Sequence, residues 1–170
     1  MSLVNNNNVE QYYLNDLWSL KFHDSFDNDW SKRSYKQLYE ISTIQNFWEV
    51  DYFIKDKVDI GMFFLCREHV FPLWDDESNV NGGALSMKVL KTEAYQCWLD
   101  LSIKLLSETL LKPQHRTLSE NVLVLSISSK KTFCIIKIWV KNDELSKPDM
   151  FDIPQKYHGK VLYSSWKTAT

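Results

Sequence analysis

The chain is poor in the residue patterns that would make it a stapled or metal-built fold. Its three cysteines, Cys66, Cys97 and Cys134, are widely spaced, odd in number and without a C-x-x-C pair, which argues against a disulfide framework and a zinc site and for reduced, buried thiols. An excess of positive charge is also lacking, since 20 Lys and Arg face 22 Asp and Glu for a net charge of −2. A generic basic face for gripping nucleic acid is thereby disfavoured, and any nucleic-acid contact should be local and base-specific. No apolar run approaches the roughly 18 residues of a membrane helix. The start, Met1-Ser2-Leu3-Val4 followed by Asn5 to Asn8, has neither the basic nor the apolar region of a secretory signal, so a cytoplasmic setting is expected. Residues 1–10 read as a disordered tail and residues 11–170 as a single domain, without internal repeats.

Clusters for catalysis are missing as well. The acids Asp75, Asp76 and Glu77 are contiguous rather than spread along a helix, and His23, His69, His115 and His158 fall in unrelated contexts. A hydrolase would need a carboxylate cluster for a metal or a nucleophile–base pair. The expectation is therefore a binding protein, not an enzyme, with no metal and no cofactor.

What the chain does have is tryptophan, seven in 170 residues. Trp30 lies in His23-Asp24-Ser25-Phe26-Asp27-Asn28-Asp29-Trp30-Ser31 and Trp74 in Phe71-Pro72-Leu73-Trp74-Asp75-Asp76-Glu77. Neither segment can hide an indole in a strand or helix face. Two indoles beside a carboxylate suit a flat, electron-poor, positively charged ring, held on its faces by stacking and cation–π attraction and on its edge by the acid. Trp18, Trp98 and Trp166 are instead expected as core or crevice tryptophans.

Hydropathy switches between periods of two and 3.6, the mark of a sheet mixed with helices. Trp18, Leu20 and Phe22 alternate with Ser19, Lys21 and His23 as a first strand. Ser42-Thr43 offers an N-cap for a helix to about Lys57. Strands follow around Gly61 to Cys66 and from Gly82-Gly83 through Val89. A long helix over Thr92 to Leu111 has Ala94, Trp98, Leu101 and Leu105 as its core stripe, with Leu99 and Ile103 off it beside Asp100. Val122 to Ile127 and Cys134 to Val140 form a hairpin whose turn carries Lys130 and Lys131, and the second strand places Lys137 and Trp139 on one face. Pro148 and Pro154 break the next stretch around one short helix, and Lys160 to Tyr163 reads as a last strand.

These blocks in order resemble the eukaryotic translation initiation factor 4E family of messenger RNA cap-binding proteins: Leu17-Trp18-x-Leu20 with Phe22, Trp30, Ile41-x-Thr43-Ile44-x-x-Phe47-Trp48, Pro72-x-Trp74-Asp75-Asp76-Glu77-x-Asn79-x-x-Gly82-Gly83, Trp98-Leu99 and Ile136-x-Ile138-Trp139. The resemblance implies an α+β fold, a curved antiparallel β-sheet with the cap site on its concave face and helices on its convex face. It implies that Trp30 and Trp74 sandwich 7-methylguanine, that Asp75 stands where the family has a glutamate on the base edge, and that Trp139 lies against the methyl group. The family's phosphate ligands fall at Ser128 and Ile135, so Lys137, Lys130 and Lys131 are the candidate replacements. Ala84 stands where an arginine commonly braces the acidic site. The region after Val140 is shorter than in typical members.

On the opposite face, Ile44, Trp48, Leu99, Asp100 and Ile103 match the patch that docks Tyr-x-x-x-x-Leu-apolar helices. The partners so implied are capped messenger RNA and a scaffold initiation factor of the 4G type or an inhibitory binding protein, engaged by a monomer. Initiation and repression remain open at this point, as does a cap site degenerate enough to leave only a partner-binding module. An aromatic cage for methylated lysine shares the same cation–π physics and remains a remoter alternative.

Overall fold

A computed structural model describes residues 10–168. The expected tail at residues 1–10 lies outside the described residues except for Glu10. Seven antiparallel strands form one curved sheet in the order β2-β1-β3-β5-β6-β4-β7: β1 Tyr13–His23, β2 Tyr35–Thr43, β3 Met62–Arg67, β4 Gly83–Leu90, β5 Val122–Ser129, β6 Phe133–Val140 and β7 Leu162–Ser165. Helices α1 (Ile44–Ile54) and α2 (Lys91–Leu106) pack on one face.

Strand alternation decides what each face receives. Trp18 and Leu20 of β1, Phe63 and Leu65 of β3, Ile136 and Ile138 of β6 and Met87 and Val89 of β4 share one buried cluster with Phe47, Val50 and Ile54 of α1 and Ala94, Trp98, Leu101 and Leu105 of α2. The intervening residues Phe64, Cys66, Ala84, Val124 and Trp139 form a smaller cluster on the other face. All three cysteines are free and buried. None of the described helices is long and apolar enough to cross a membrane.

Helix α1 begins where Thr43 Oγ1 accepts a hydrogen bond from the Asn46 amide at 3.1 Å, satisfying one of the open donors of the first turn. It ends at Ile54, a few residues before the expected Lys57, and passes into a turn. Helix α2 stops at Leu106 instead of Leu111. Leu110 and Leu111 are still buried, so their apolar character reports the core and not helical continuation. Strand β2 was not evident in the sequence: Tyr35–Thr43 has only two buried residues, Ile41 and Thr43. Where one short helix was expected around the prolines, three 3-10 turns occur, at Asp143–Leu145, Pro148–Met150 and Gln155–Tyr157.

The Gly82-Gly83 pair is required by close backbone approach. A Cβ on Gly82 would sit 1.8 Å from the Val140 carbonyl oxygen, and one on Gly83 would sit 2.3 Å from that of Ser164. Only glycine lets the chain enter β4 here between β6 and β7.

Candidate functional site

Two loops and the smaller-cluster face of the sheet enclose a cleft of about 630 Å³. The loop after β1 supplies Trp30. It is wound through short local bonds, with the Asp24, Asp27 and Asp29 carboxylates accepting from the amides of Phe26, Asp29 and Ser31, which is why so acidic a segment turns tightly. Trp30 is 49 % exposed. Its ring lies flat on His23, centroids 4.1 Å apart and planes 5° from parallel.

The second loop supplies Trp74, 44 % exposed, and Asp75. Asn79 is buried beneath it and donates to the carbonyls of both Phe71 and Leu73 at 2.7 Å. The two acids of the loop have different surroundings. Asp76 accepts from Lys32 Nζ at 2.8 Å. Burial alone would raise its pKa, but that bond and the Ser78 amide hold it below the usual carboxylate value. Asp75 lines the cleft and forms no salt bridge among the described residues. The position of Ala84, buried beside Trp139 in the sheet, accommodates no brace. Lys32 bridges the loops instead, with its ammonium also 5.1 Å over the Phe71 ring.

The floor comes from β3, β5 and β6. Trp139 is buried, donates its indole N–H to Ser126 Oγ at 2.9 Å and meets Phe64 edge-on. Tyr35 of β2 donates to the Pro72 carbonyl at 3.3 Å; burial first, then Cys66 and Asp75, push its phenol up to about 12. Lys137 lines the cleft half-buried and makes no salt bridge among the described residues. Burial, then the like charge of Lys130, holds its pKa below the ordinary lysine value. A partly desolvated ammonium gains from an anionic partner.

Five of the seven expected residues thus meet in one cleft: Trp30, Trp74, Asp75, Trp139 and Lys137. Lys130 and Lys131 are exposed on the turn between β5 and β6, outside the cleft lining. Trp166, expected in the core or a crevice, is half-buried on the cleft wall, 5.1 Å from Trp139 and tilted 57° to it, with Lys137 Nζ 5.9 Å from its ring. The criterion that singled out Trp30 and Trp74, an indole on polar ground, applies equally to Ser164-Ser165-Trp166-Lys167. Lys32 and Tyr35 carried no comparable signal, because β2 was unread and their partners lie far away in sequence.

A second groove, of about 290 Å³, opens on the helical side between the start of β1, α1 and α2. Ile44, Trp48 and Ile103 line it beside Tyr13, Leu14 and Phe47, and Trp48 is 48 % exposed. Leu99 and Asp100 do not line it. Leu99 packs against the main core, and Asp100 pairs with Lys104 at 3.1 Å one turn on. Among the described residues no group of three or more His, Cys, Asp or Glu could hold a metal ion.

The sequence model of the family described as "Eukaryotic initiation factor 4E" matches residues 13–167. Among curated relatives, the chain is 23% identical over 136 residues to "Eukaryotic translation initiation factor NCBP" of Arabidopsis thaliana, covering 76% of this chain and 58% of that protein. It is 27% identical over 114 residues to "Eukaryotic translation initiation factor 4E-2" of Nicotiana tabacum, covering 63% of this chain and 51% of that one. The chain therefore spans little more than half the length of these relatives. Among solved structures, it is similar to Caenorhabditis elegans eIF4E-3 in complex with the 4E-binding protein Mextli and cap analog, with a TM-score of 0.75 at 16% identity, covering 94% of this chain and 95% of that one. It is likewise similar to Ascaris suum eIF4E-3 with m7G cap, with a TM-score of 0.66 at 20% identity, covering 78% and 75% of the two chains.

Proposed function

Since this chain belongs to the eukaryotic initiation factor 4E family, we propose that its cleft binds the 7-methylguanosine cap of messenger RNA in the cytoplasm, the base held between Trp30 and Trp74. The observation that carries the reading is the convergence in one cleft of two half-exposed indoles with an acid and a desolvated lysine that form no salt bridge among the described residues. N7-methylation makes guanine a cation, so an indole sandwich gains cation–π attraction that plain guanine lacks. Stacking itself is worth about 1–3 kcal/mol per base. Asp75 accepts from the base edge. Its side chain is one methylene shorter than glutamate, so it accepts either from closer in or through a bridging water. The Trp74 amide faces O6, Trp139 lies against the methyl group, and Lys137 meets the phosphates, with Lys130 and Lys131 reaching in from the turn.

On the helical side, the groove beside Trp48 takes an amphipathic helix of the Tyr-x-x-x-x-Leu-apolar type from a scaffold initiation factor of the 4G type or an inhibitory binding protein. An exposed tryptophan among aliphatics is the kind of anchor that dominates such interfaces. Recruiting the scaffold would start translation; a cap binder that fails to recruit it would repress. Leu99 and Asp100 precede Ile103 by one helical turn on α2, and the same helix would reach them beyond the groove lining.

A tryptophan-fluorescence titration with 7-methylguanosine triphosphate beside guanosine triphosphate tests the cap reading. Quenching by the methylated nucleotide alone, lost in Trp30→Ala and in Trp74→Ala, supports it. An equal or absent response to both nucleotides refutes it and leaves the Trp48 groove as the functional face.

A further inference from the structure

The face of the sheet that floors the cleft continues beyond it. On β6, Trp139, Lys137, Ile135 and Phe133 alternate with residues of the main core and so stand in one row on the cleft face. Trp139 and Lys137 belong to the cleft lining, as does Ser128 of β5, which pairs with Ile135. Past that pair the row runs on outside the cleft, where Ile135 and Phe133 are partly exposed. Two residues advance a strand by about 6.6 Å, so Phe133 stands about 13 Å beyond Lys137. Strand β4 adds Ser86 opposite Lys137 and Lys88 opposite Ile135. Strand β7 adds Leu162 opposite Ser86, 70 % exposed.

Charge along this row is of one sign. None of the strands β3 to β7 contains an Asp or a Glu, although the chain carries 22. Lys88 is exposed, and its ammonium lies 4.0 Å from the centroid of the Phe133 ring. That cation–π contact restrains a flexible side chain before any ligand arrives. Lys88 forms no salt bridge among the described residues. Glu93, which shares a hollow with it, is taken by Lys156 at 2.8 Å and by the Tyr157 hydroxyl at 3.1 Å. Lys130, on the turn beside the row, is close enough for Lys137 to feel its charge. Lysines set among part-exposed aromatic and aliphatic side chains, with no acid between them, suit a single-stranded nucleic acid, whose phosphates take the cations and whose bases and sugars take the apolar contacts.

We infer that the row from Lys137 to Phe133 and Lys88 is a track for the RNA that follows the cap, with Lys88 meeting a backbone phosphate beyond the triphosphate. The inference rests on the cap reading given above. A base over Trp139 with its phosphates at Lys137 directs the rest of the chain out of the cleft along this row, and that continuity selects RNA as the occupant. Because the charged contact is to backbone, it lengthens the bound segment without reading its sequence.

The test measures binding of 7-methylguanosine triphosphate and of a 7-methylguanosine-capped pentanucleotide RNA to the wild type, Lys88→Met and Lys88→Arg over a range of salt concentrations. Lys88→Met should bind the capped RNA about two- to fivefold more weakly than the wild type, the scale of one exposed ion pair. Its plot of log affinity against log salt should also be shallower by about 0.7, the share of one phosphate on a single strand. Both proteins should bind 7-methylguanosine triphosphate alike, which shows at the same time that the variant is folded, and Lys88→Arg should bind the capped RNA as the wild type does. Equal binding of the capped RNA by the wild type and Lys88→Met, or equal losses for both ligands, overturns the inference while leaving the cap reading intact. Failure of the wild type to bind 7-methylguanosine triphosphate overturns both.

Discussion

Individual side chains in the cleft differ in what they should contribute. Trp30→Ala and Trp74→Ala each remove a stacking face, and each is expected to weaken 7-methylguanosine triphosphate binding by about 1–3 kcal/mol, read as loss of fluorescence quenching or by calorimetry. Lys137 acts on charge. Lys137→Met should lower affinity for the triphosphate while leaving 7-methylguanosine itself nearly unaffected, and a titration of both ligands on both proteins checks this. Because burial lowers the Lys137 pKa below the lysine norm, triphosphate affinity should also fall as pH rises toward that norm, and Lys137→Met should lose that decline. Equal losses for nucleoside and triphosphate would place the lysine away from the phosphates.

At the scale of elements, the second loop is the part whose motif now has a mechanical reading. Asn79 ties Phe71 and Leu73 together from beneath, and Gly82-Gly83 carries the chain between β6 and β7. Asn79→Ala leaves the Phe71 and Leu73 carbonyls, both partly buried, without this donor. It is expected to cost about 1–3 kcal/mol of stability, measured by urea unfolding, and to weaken nucleotide binding because Trp74 and Asp75 ride on the same loop. Motif spacing and strand alternation made β1, β4, β5, β6 and the faces of α1 and α2 legible in the sequence. In β1, β4 and β6 the residues of the main core recur every second position and in the helices every third or fourth, which a single chain records, while β5 is an unbroken apolar run. Strand β2 was not legible, since its neighbours cover so little of it that Tyr35–Thr43 mixes polar and apolar residues freely. Of the cleft lining, Trp30, Trp74 and Asp75 were legible because they are local to two loops. Its wall was not: Trp166 reaches Trp139 only because β7 pairs with β4, and Lys32 reaches Asp76 across 44 residues.

For the whole molecule, two surfaces open on opposite sides of one sheet, with the main core between them. Residues of the groove and of the cleft share no side chain. A Tyr-x-x-x-x-Leu-apolar peptide and 7-methylguanosine triphosphate are therefore expected to bind together, and Trp48→Ala should abolish peptide capture while leaving nucleotide affinity within about twofold. Stability against acid follows from several carboxylates at once. Asp76 is held low despite its burial, Glu93 by Lys156 and Tyr157, and Asp143 by Tyr163 and Lys167. A depressed folded-state pKa contributes stability above the unfolded value that is lost as pH falls through the folded one. The melting temperature should accordingly decline below the ordinary values of 3.8 for Asp and 4.5 for Glu, and Lys32→Met should flatten that decline in scanning calorimetry.

The strand order also sets a schedule for the cleft during synthesis. Both plates, the acid and the floor lie in residues 30–139, whereas the wall formed by Trp166 hangs from a strand that can pair with β4 only after residues 162–165 exist. A ribosome releases the chain from its N-terminal side, and segments fold as they emerge. A nascent polypeptide stalled before β7 would carry Trp30 and Trp74 already in place while the β4 edge of the sheet stayed unpaired, so the Trp166 wall is the last part of the cleft to be set.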